Sequence, residues 1–170
     1  MHKPVIALAA LAVAASAQAT PLMSPEWAAE ACQLWNKTPS LTNGLVGKAW
    51  LANDAGRGYK IVQMYRTDCG PATKTELKIE PKDGKAMCVY GGKPMTPKFT
   101  DTKDYVMYAS TESWNDMGAG KYGPKAGMFF HGFRFDGPYA EAMGVMGAFE
   151  AFVLFPGKIP GDNTCPAATK

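Results

Sequence analysis

The chain is poor in histidine, the side chain that most often serves as a general acid or base in enzymes. It has two histidines, and only His131 lies beyond the first nineteen residues. A metal site built from several histidines is therefore excluded, and a Ser-His-Asp or Cys-His enzyme would have to use His131. No two cysteines have the Cys-x-x-Cys spacing, which argues against a zinc site or a thioredoxin-like redox motif.

Charge runs and long apolar runs are also missing. The 18 basic and 15 acidic residues are spread along the chain without a basic stripe, which argues against binding to nucleic acid. Beyond the N-terminal segment, no stretch approaches the roughly 20 apolar residues that are needed to cross a bilayer. A chain of this length is expected to form a single domain with its own hydrophobic core.

The N-terminal segment has the organisation of a signal peptide. Lys3 supplies a positive charge, residues 5–15 form a short apolar region, and Ala17-Gln18-Ala19 is a small-x-small cleavage signal. The mature protein is therefore expected to be periplasmic or secreted. The predicted parts of the chain are a signal peptide over residues 1–19, a domain over residues 20–160 and a loosely ordered C-terminal tail over residues 161–170.

Four cysteines follow the predicted signal peptide: Cys32, Cys69, Cys88 and Cys165. An even number of cysteines in an oxidising compartment predicts disulfides. The preferred pair is Cys69 with Cys88, because both lie in a predicted meander of strands and close a loop of about twenty residues. One difficulty stays open, since an intervening strand would separate their Cα atoms by more than roughly 7 Å. Cys32 with Cys165 is the other expected bridge.

The hydrophobic pattern predicts both strands and helices. Runs rich in β-branched and aromatic residues predict strands at residues 59–68, 73–80, 86–90, 105–109 and 133–136. Cap and proline signals predict helices that begin at Ser24-Pro25, Ser110, Pro124 and Gly137-Pro138. A hairpin turn at residues 81–84 would place Ile79 opposite Ala86 and Leu77 opposite Cys88.

Aromatic residues and methionines concentrate towards the C-terminal end. Because neighbours in an element cannot all point inward, we expect one phenylalanine of each of two closely spaced pairs to line a cavity. An ordinary aromatic core explains the same pattern, since phenylalanine is commonly buried. Methionine, which is flexible, suits an adaptable binding wall. The candidate ligand-binding residues are Phe129 or Phe130, Phe133 or Phe135, and Met143, Met146 and Phe149.

An ordered set of motifs occupies the same region: a strand, a short helix, a Gly-Lys turn, a second short helix, another strand and a last helix. Its residues are Tyr105–Ala109, residues 113–117, Gly120-Lys121, Pro124, Ala126, Phe129-Phe130, Gly132, Phe133-Arg134-Phe135, Gly137 and Ala142-Met143. In this order the chain resembles the sterol carrier protein (type 2) lipid-binding domain family, as an exported bacterial-type member. The resemblance extends over roughly residues 59–149.

The resemblance implies an α+β fold, with a five-stranded mixed sheet and helices packed on one face. It also implies an apolar tunnel between sheet and helices, which takes fatty acyl chains, acyl-CoA or sterols and needs no cofactor. Acyl-CoA does not suit an exported protein. The expected partner is therefore a lipid or other hydrophobic small molecule, carried by a monomer that makes transient membrane contact and is not an enzyme.

Two other functions stay open. A small secreted enzyme would use His131, or the carboxylates of Glu112 and Asp116, which lie four residues apart on one predicted helix. A carboxylate pair can carry out acid–base chemistry or cleave glycosides, although a solvated helix face explains the spacing equally. A non-catalytic interaction domain would instead contact a partner through its last helix.

Overall fold

In the part of the chain that the structure describes, five β-strands form one mixed sheet. They are β1 (Lys60–Arg66), β2 (Thr75–Lys82), β3 (Lys85–Gly92), β4 (Tyr105–Ala109) and β5 (Arg134–Asp136). The computed structural model describes residues 20–46, 49–96 and 99–169, so the predicted signal peptide lies outside the described residues. The strand order is β3-β2-β1-β4-β5. Strands β1 and β4 are parallel, and the other neighbouring pairs are antiparallel.

Short helices follow and precede the strands. In the described residues they are α1 (Pro25–Asn36), α2 (Pro39–Thr42), α3 (Ala49–Ala52), α4 (Thr111–Gly118), α5 (Pro124–Phe130), α6 (Tyr139–Gly144) and α7 (Met146–Val153). The cap signals act as expected, because Ser24 and Ser110 each accept a backbone N–H of the first turn at 3.1 Å. Among the described residues, no helix has the length and apolar content needed to span a bilayer.

One face of the sheet carries the hydrophobic core. Alternation along β1 turns Val62 to this face, and the register sets Leu77 and Tyr105 on either side of it. Helix α1 packs against β2 and β3 on this face. A Cβ atom added at Gly91 would collide with the carbonyl oxygen of Ala28, so glycine permits the close approach of α1. The structure confirms the expected α+β fold, a five-stranded mixed sheet with helices packed on one face.

The β2–β3 hairpin has a different register from the predicted one. Ile79 lies opposite Cys88 rather than Ala86, and an irregularity between Lys78 and Ile79 shifts the rest of the ladder. The reason is that β2 continues through Lys82, so the turn contains only Asp83 and Gly84. Both turn residues have positive φ, 50° and 69°, as tight two-residue hairpins require.

Two disulfides join the described cysteines, and neither is a predicted pair. Cys32 is bonded to Cys88, with Cα atoms 5.3 Å apart, and Cys69 to Cys165, with Cα atoms 5.4 Å apart. The predicted pair of Cys69 with Cys88 is wrong because β2 lies between β1, which Cys69 follows, and β3, which carries Cys88. Two strand spacings amount to about 9.5 Å, beyond the reach of a disulfide.

The C-terminal segment is bound to the domain rather than loosely ordered. The disulfide of Cys165 holds it beside the end of β1, and Asp162 pairs with Pro21 in a β-bridge. Near the end of the chain, the N–H of Thr169 donates to the carbonyl oxygen of Ala72 at 2.7 Å. The predicted loose tail over residues 161–170 is therefore wrong for its described part, which the disulfide fixes in place.

Candidate functional site

An apolar cavity lies between the core face of the sheet and helices α5, α6 and α7. Strands β4 and β5 form its floor, because Met107 and Phe135 are direct partners across this ladder and point to the same face. The helices supply the opposite wall. The lining residues are Tyr105, Met107, Pro124, Met128, Phe133, Phe135, Ala142, Met146 and Phe149.

The cavity is almost filled by its own side chains. Its free volume is about 10 Å³, which is room for at most one water molecule. Sites that take small-molecule ligands usually measure about 300–1,000 Å³. A ligand with an apolar chain therefore enters only if the wall moves.

The helical wall is built from short pieces. The single last helix that the sequence predicts is divided into α6 and α7, which meet at Gly144 and Val145. A Cβ atom added at Gly144 or at Gly147 would meet nothing within 4 Å, so neither glycine serves close backbone packing. Both lower the helix propensity of this part of the wall. The helical wall is therefore interrupted between α6 and α7.

The structure brings four of the predicted ligand-binding residues together. Phe133, Phe135, Met146 and Phe149 all line the cavity. Phe133 and Phe135 had been expected as alternatives, but residues two apart in an extended segment point to the same side, so both contribute. Met143 is half-buried against the core without lining the cavity. Ligand binding by any of these residues stays a prediction.

Phe129 and Phe130 lie outside the cavity. Their side chains are 74% and 80% exposed, and neither lines the cavity. The prediction that one of them lines the cavity is therefore wrong. Helix α5 turns Pro124, Gly127 and Met128 inward, at the i, i+3, i+4 spacing of one helix face. The phenylalanines that follow Met128 therefore fall on the outer face.

Five lining residues were missed from the sequence: Tyr105, Met107, Pro124, Met128 and Ala142. The signal for the first two was the alternation along β4, which puts them on the core face together. Met128 could have been found from its spacing to Pro124 on a short helix. Ala142 carries no distinctive signal.

A buried polar network adjoins the cavity through Tyr105, which is one of its lining residues. The hydroxyl of Tyr105 donates to Glu141 Oε1 at 2.5 Å, and Lys60 Nζ binds the same oxygen at 2.5 Å. Glu141 Oε2 accepts from Asn53 Nδ2 at 2.6 Å. Lys60 Nζ also lies 4.8 Å from the centre of the Trp50 ring, within cation–π range. Glu141 is thus held by three donors, although it belongs to the short helix α6.

Burial shifts the pKa of two members of this network, Lys60 and Tyr105. It lowers the pKa of the Lys60 ammonium, an effect that the ion pair with Glu141 opposes. Burial, and then the hydrogen bond to Glu141, raise the pKa of the Tyr105 hydroxyl far above its usual value. Tyr105 therefore stays a neutral hydrogen-bond donor at physiological pH, and the network joins α6 to β1, β4 and Asn53 through Glu141.

A second, polar pocket lies on the surface beside α4. It brings together His131, Glu112 and Asp116, the three residues that a small enzyme was expected to use, with Ser110, Ser113 and Tyr122. His131 is exposed, and its ring stacks on that of Tyr122 with centres 3.8 Å apart. Asp116 accepts from Lys121 Nζ at 2.7 Å.

This polar pocket lacks the contacts of an activated nucleophile. Within residues 20–46, 49–96 and 99–169, no hydrogen bond joins His131 to a carboxylate or to a serine hydroxyl. In the same residues, no group of three or more His, Cys, Asp or Glu side chains could hold a metal ion. The pocket therefore gathers candidate residues without the base–nucleophile hydrogen bond that catalysis of this kind uses.

Comparison with known proteins identifies the fold. No family sequence model and no curated protein matches the sequence. A solution structure of a conserved hypothetical protein from Thermus thermophilus, described as possibly a sterol carrier protein, is 12% identical with a TM-score of 0.52. The match covers 86% of this chain and 94% of that one. A crystal structure of sterol carrier protein 2 is 14% identical with a TM-score of 0.51, covering 81% of this chain and 98% of that one. The chain therefore has the fold of the sterol carrier proteins.

Proposed function

We propose that this protein binds a hydrophobic ligand and carries it through an aqueous extracytoplasmic compartment. The ligand is a fatty acid, a sterol-like molecule or another lipid. One observation carries this proposal: the cavity between sheet and helices is lined by apolar side chains, in a fold that sterol carrier protein 2 shares. Transient membrane contact would allow the protein to load and to release its ligand.

The mechanism is burial of apolar surface. A lipid chain withdrawn from water gains roughly 25 cal/mol for each Å² of apolar area. Part of this gain is spent in opening the cavity, since α5 to α7 must separate from β4 and β5 before a chain fits. The methionine side chains of the lining suit this task, because methionine repacks around ligands of different shape. No cofactor and no covalent step is needed.

Export is supported by two independent features. The sequence predicts a signal peptide over residues 1–19, and the four cysteines beyond it are paired in two disulfides. Disulfides persist in oxidising compartments, such as the bacterial periplasm. The protein would act there as a monomer.

Titration with a fluorescent fatty acid tests the proposal. We expect saturable binding at one site, together with a ligand-dependent rise in melting temperature, because a ligand that binds only the folded state stabilises it. A competing fatty acid without the fluorophore should displace the probe. Binding that does not saturate, or no rise in melting temperature at saturation, would contradict the proposal.

A second candidate function is a small hydrolase that uses the polar pocket. The observation in its favour is that His131 shares one surface with Glu112, Asp116 and Ser113. Turnover of chromogenic esters or glycosides, lost in His131→Ala and in Glu112→Gln, would support it. Equal rates in these variants and in the wild type would exclude it.

A further inference from the structure

Two adjacent phenylalanines stand exposed on the outer face of α5. The side chains of Phe129 and Phe130 are 74% and 80% exposed, and their ring centres lie 6.2 Å apart. Pro124 and Gly127 of the same helix are buried, so α5 turns one side to the core and its phenylalanines to solvent. Neighbouring exposed aromatic rings are unusual on a folded domain and mark a surface that contacts something apolar.

The charged residues nearest to this pair along the chain are both cations, Lys125 before it and Arg134 after it. Lys121 lies further away and forms an ion pair with Asp116 at 2.7 Å. Lys125 is exposed on α5, one turn before Phe129. The exposed Arg134 donates from Nη1 to the carbonyl oxygen of Met128 at 3.1 Å, which holds its guanidinium at the end of α5. An apolar pair flanked by cations complements a surface that is apolar below and anionic above.

We propose that Phe129 and Phe130, together with Lys125 and Arg134, form a docking surface for an anionic lipid bilayer. The two rings would enter the boundary between headgroups and acyl chains, and the two cations would lie at the level of the headgroups. A second copy of the chain fits this surface less well than a bilayer does. A two-fold symmetric contact would place the same cations of the two copies opposite each other, where they would repel.

The position of the docking surface links it to the cavity. Met128, which immediately precedes the phenylalanine pair, lines the cavity, as does Pro124 at the start of α5. Helix α5 is therefore the wall that separates the cavity from the bilayer on which it would dock. This link to ligand transfer rests on the proposed function, whereas docking itself does not depend on the cavity binding a lipid.

Flotation with vesicles tests the docking surface. The vesicles are phosphatidylcholine with about one third phosphatidylglycerol, which supplies the anionic surface. The test variant combines Phe129→Ser with Phe130→Ser, and Val89→Ser is the control, since Val89 is 46% exposed on β3. Lys125→Gln tests the contribution of charge. Melting temperatures of all variants check that each one is folded, and little change is expected because the replaced side chains are exposed.

We expect the double phenylalanine variant to lose about tenfold in vesicle affinity for each ring removed. Lys125→Gln should lose about fivefold on anionic vesicles and nothing on pure phosphatidylcholine. Val89→Ser should bind like the wild type. Equal vesicle binding by the wild type and the double variant would overturn the proposal. So would wild-type self-association in sedimentation velocity, lost in the double variant, without vesicle binding.

The two proposals fail in distinguishable ways. In solution without vesicles, the double variant should bind the fluorescent fatty acid with the wild-type Kd. If the wild type binds vesicles but no fatty acid, the cavity proposal fails and the docking surface stands. If it binds the fatty acid but no vesicles, the docking surface fails alone.

Discussion

Truncation of Met146 to alanine is expected to enlarge the cavity at a measurable cost in stability. Met146 is 8% exposed and lines a cavity with about 10 Å³ of free volume. Removal of Cγ, Sδ and Cε should lower the free energy of unfolding by about 2–5 kcal/mol, because the surroundings collapse only in part. At roughly 2–4 °C for each kcal/mol in a chain of this size, the Tm should fall by about 4–20 °C.

The same change should tighten ligand binding. The wild-type cavity must open before a chain enters, and the apparent Kd is raised by the small fraction of open molecules. Met146→Ala supplies part of the missing space in advance, so the Kd for a fluorescent fatty acid should fall severalfold. Ligand at about 100 times its Kd should then return about 2.7 kcal/mol of the lost stability.

Met143→Ala is the matched control. Met143 has the same side chain and is half-buried against the core, but it does not line the cavity. It should lose less stability than Met146→Ala and keep the wild-type Kd. An unchanged Kd in Met146→Ala, or an equal change in Met143→Ala, would refute the assignment of the cavity as the ligand site.

Two further predictions concern the fold around the site. Glu141→Gln should cost about 3–5 kcal/mol near neutral pH, because it leaves the buried Lys60 ammonium without its anionic partner. Burial already lowers the pKa of Lys60 in the folded wild type, and loss of the opposing Glu141 charge should lower this pKa further. The folded variant then releases the Lys60 proton at a lower pH than the folded wild type, so the deficit should shrink as pH rises towards the ordinary lysine pKa of about 10.4. Urea unfolding at neutral and at mildly alkaline pH checks this, and a deficit that grows with pH would speak against it. Replacing Cys69 and Cys165 with serine removes a bridge between residues 96 positions apart, and a loop of about 100 residues is worth about 4.7 kcal/mol by chain entropy. The urea midpoint should fall accordingly, whereas an unchanged midpoint would show that the bridge does not form.

Local signals in the sequence predict most of the fold. The structure confirms β4 at its predicted bounds, and α1 and α4 begin directly after the predicted caps Ser24 and Ser110. These features depend on alternation and capping within a few residues, which a single sequence displays. The register of the β2–β3 hairpin was wrong by two residues, because it depends on whether Pro81 and Lys82 belong to the turn or to the strand.

Features that depend on distant parts of the chain were less predictable. The cysteine pairing follows from the position of β2 between β1 and β3, which no local pattern reveals. The ion pair of Lys60 with Glu141 joins residues 81 positions apart and had no signal in the sequence. In the site, aromatic content identified Phe133 and Phe149 but could not tell which side of α5 faces the core, so Phe129 was misplaced. The small free volume of the cavity is a property of tertiary packing alone.

Native mass spectrometry of the protein purified from its own host tests the central claim most directly. Gentle ionisation of the folded protein, followed by lipid extraction of the same sample, shows whether a lipid occupies the molecule. The account predicts a mass above that of the disulfide-bonded chain from Thr20 by that of one lipid, and the lipid should be recovered in the extract. Protein that carries no lipid, and that takes up none when incubated with membranes from its host, would contradict the account.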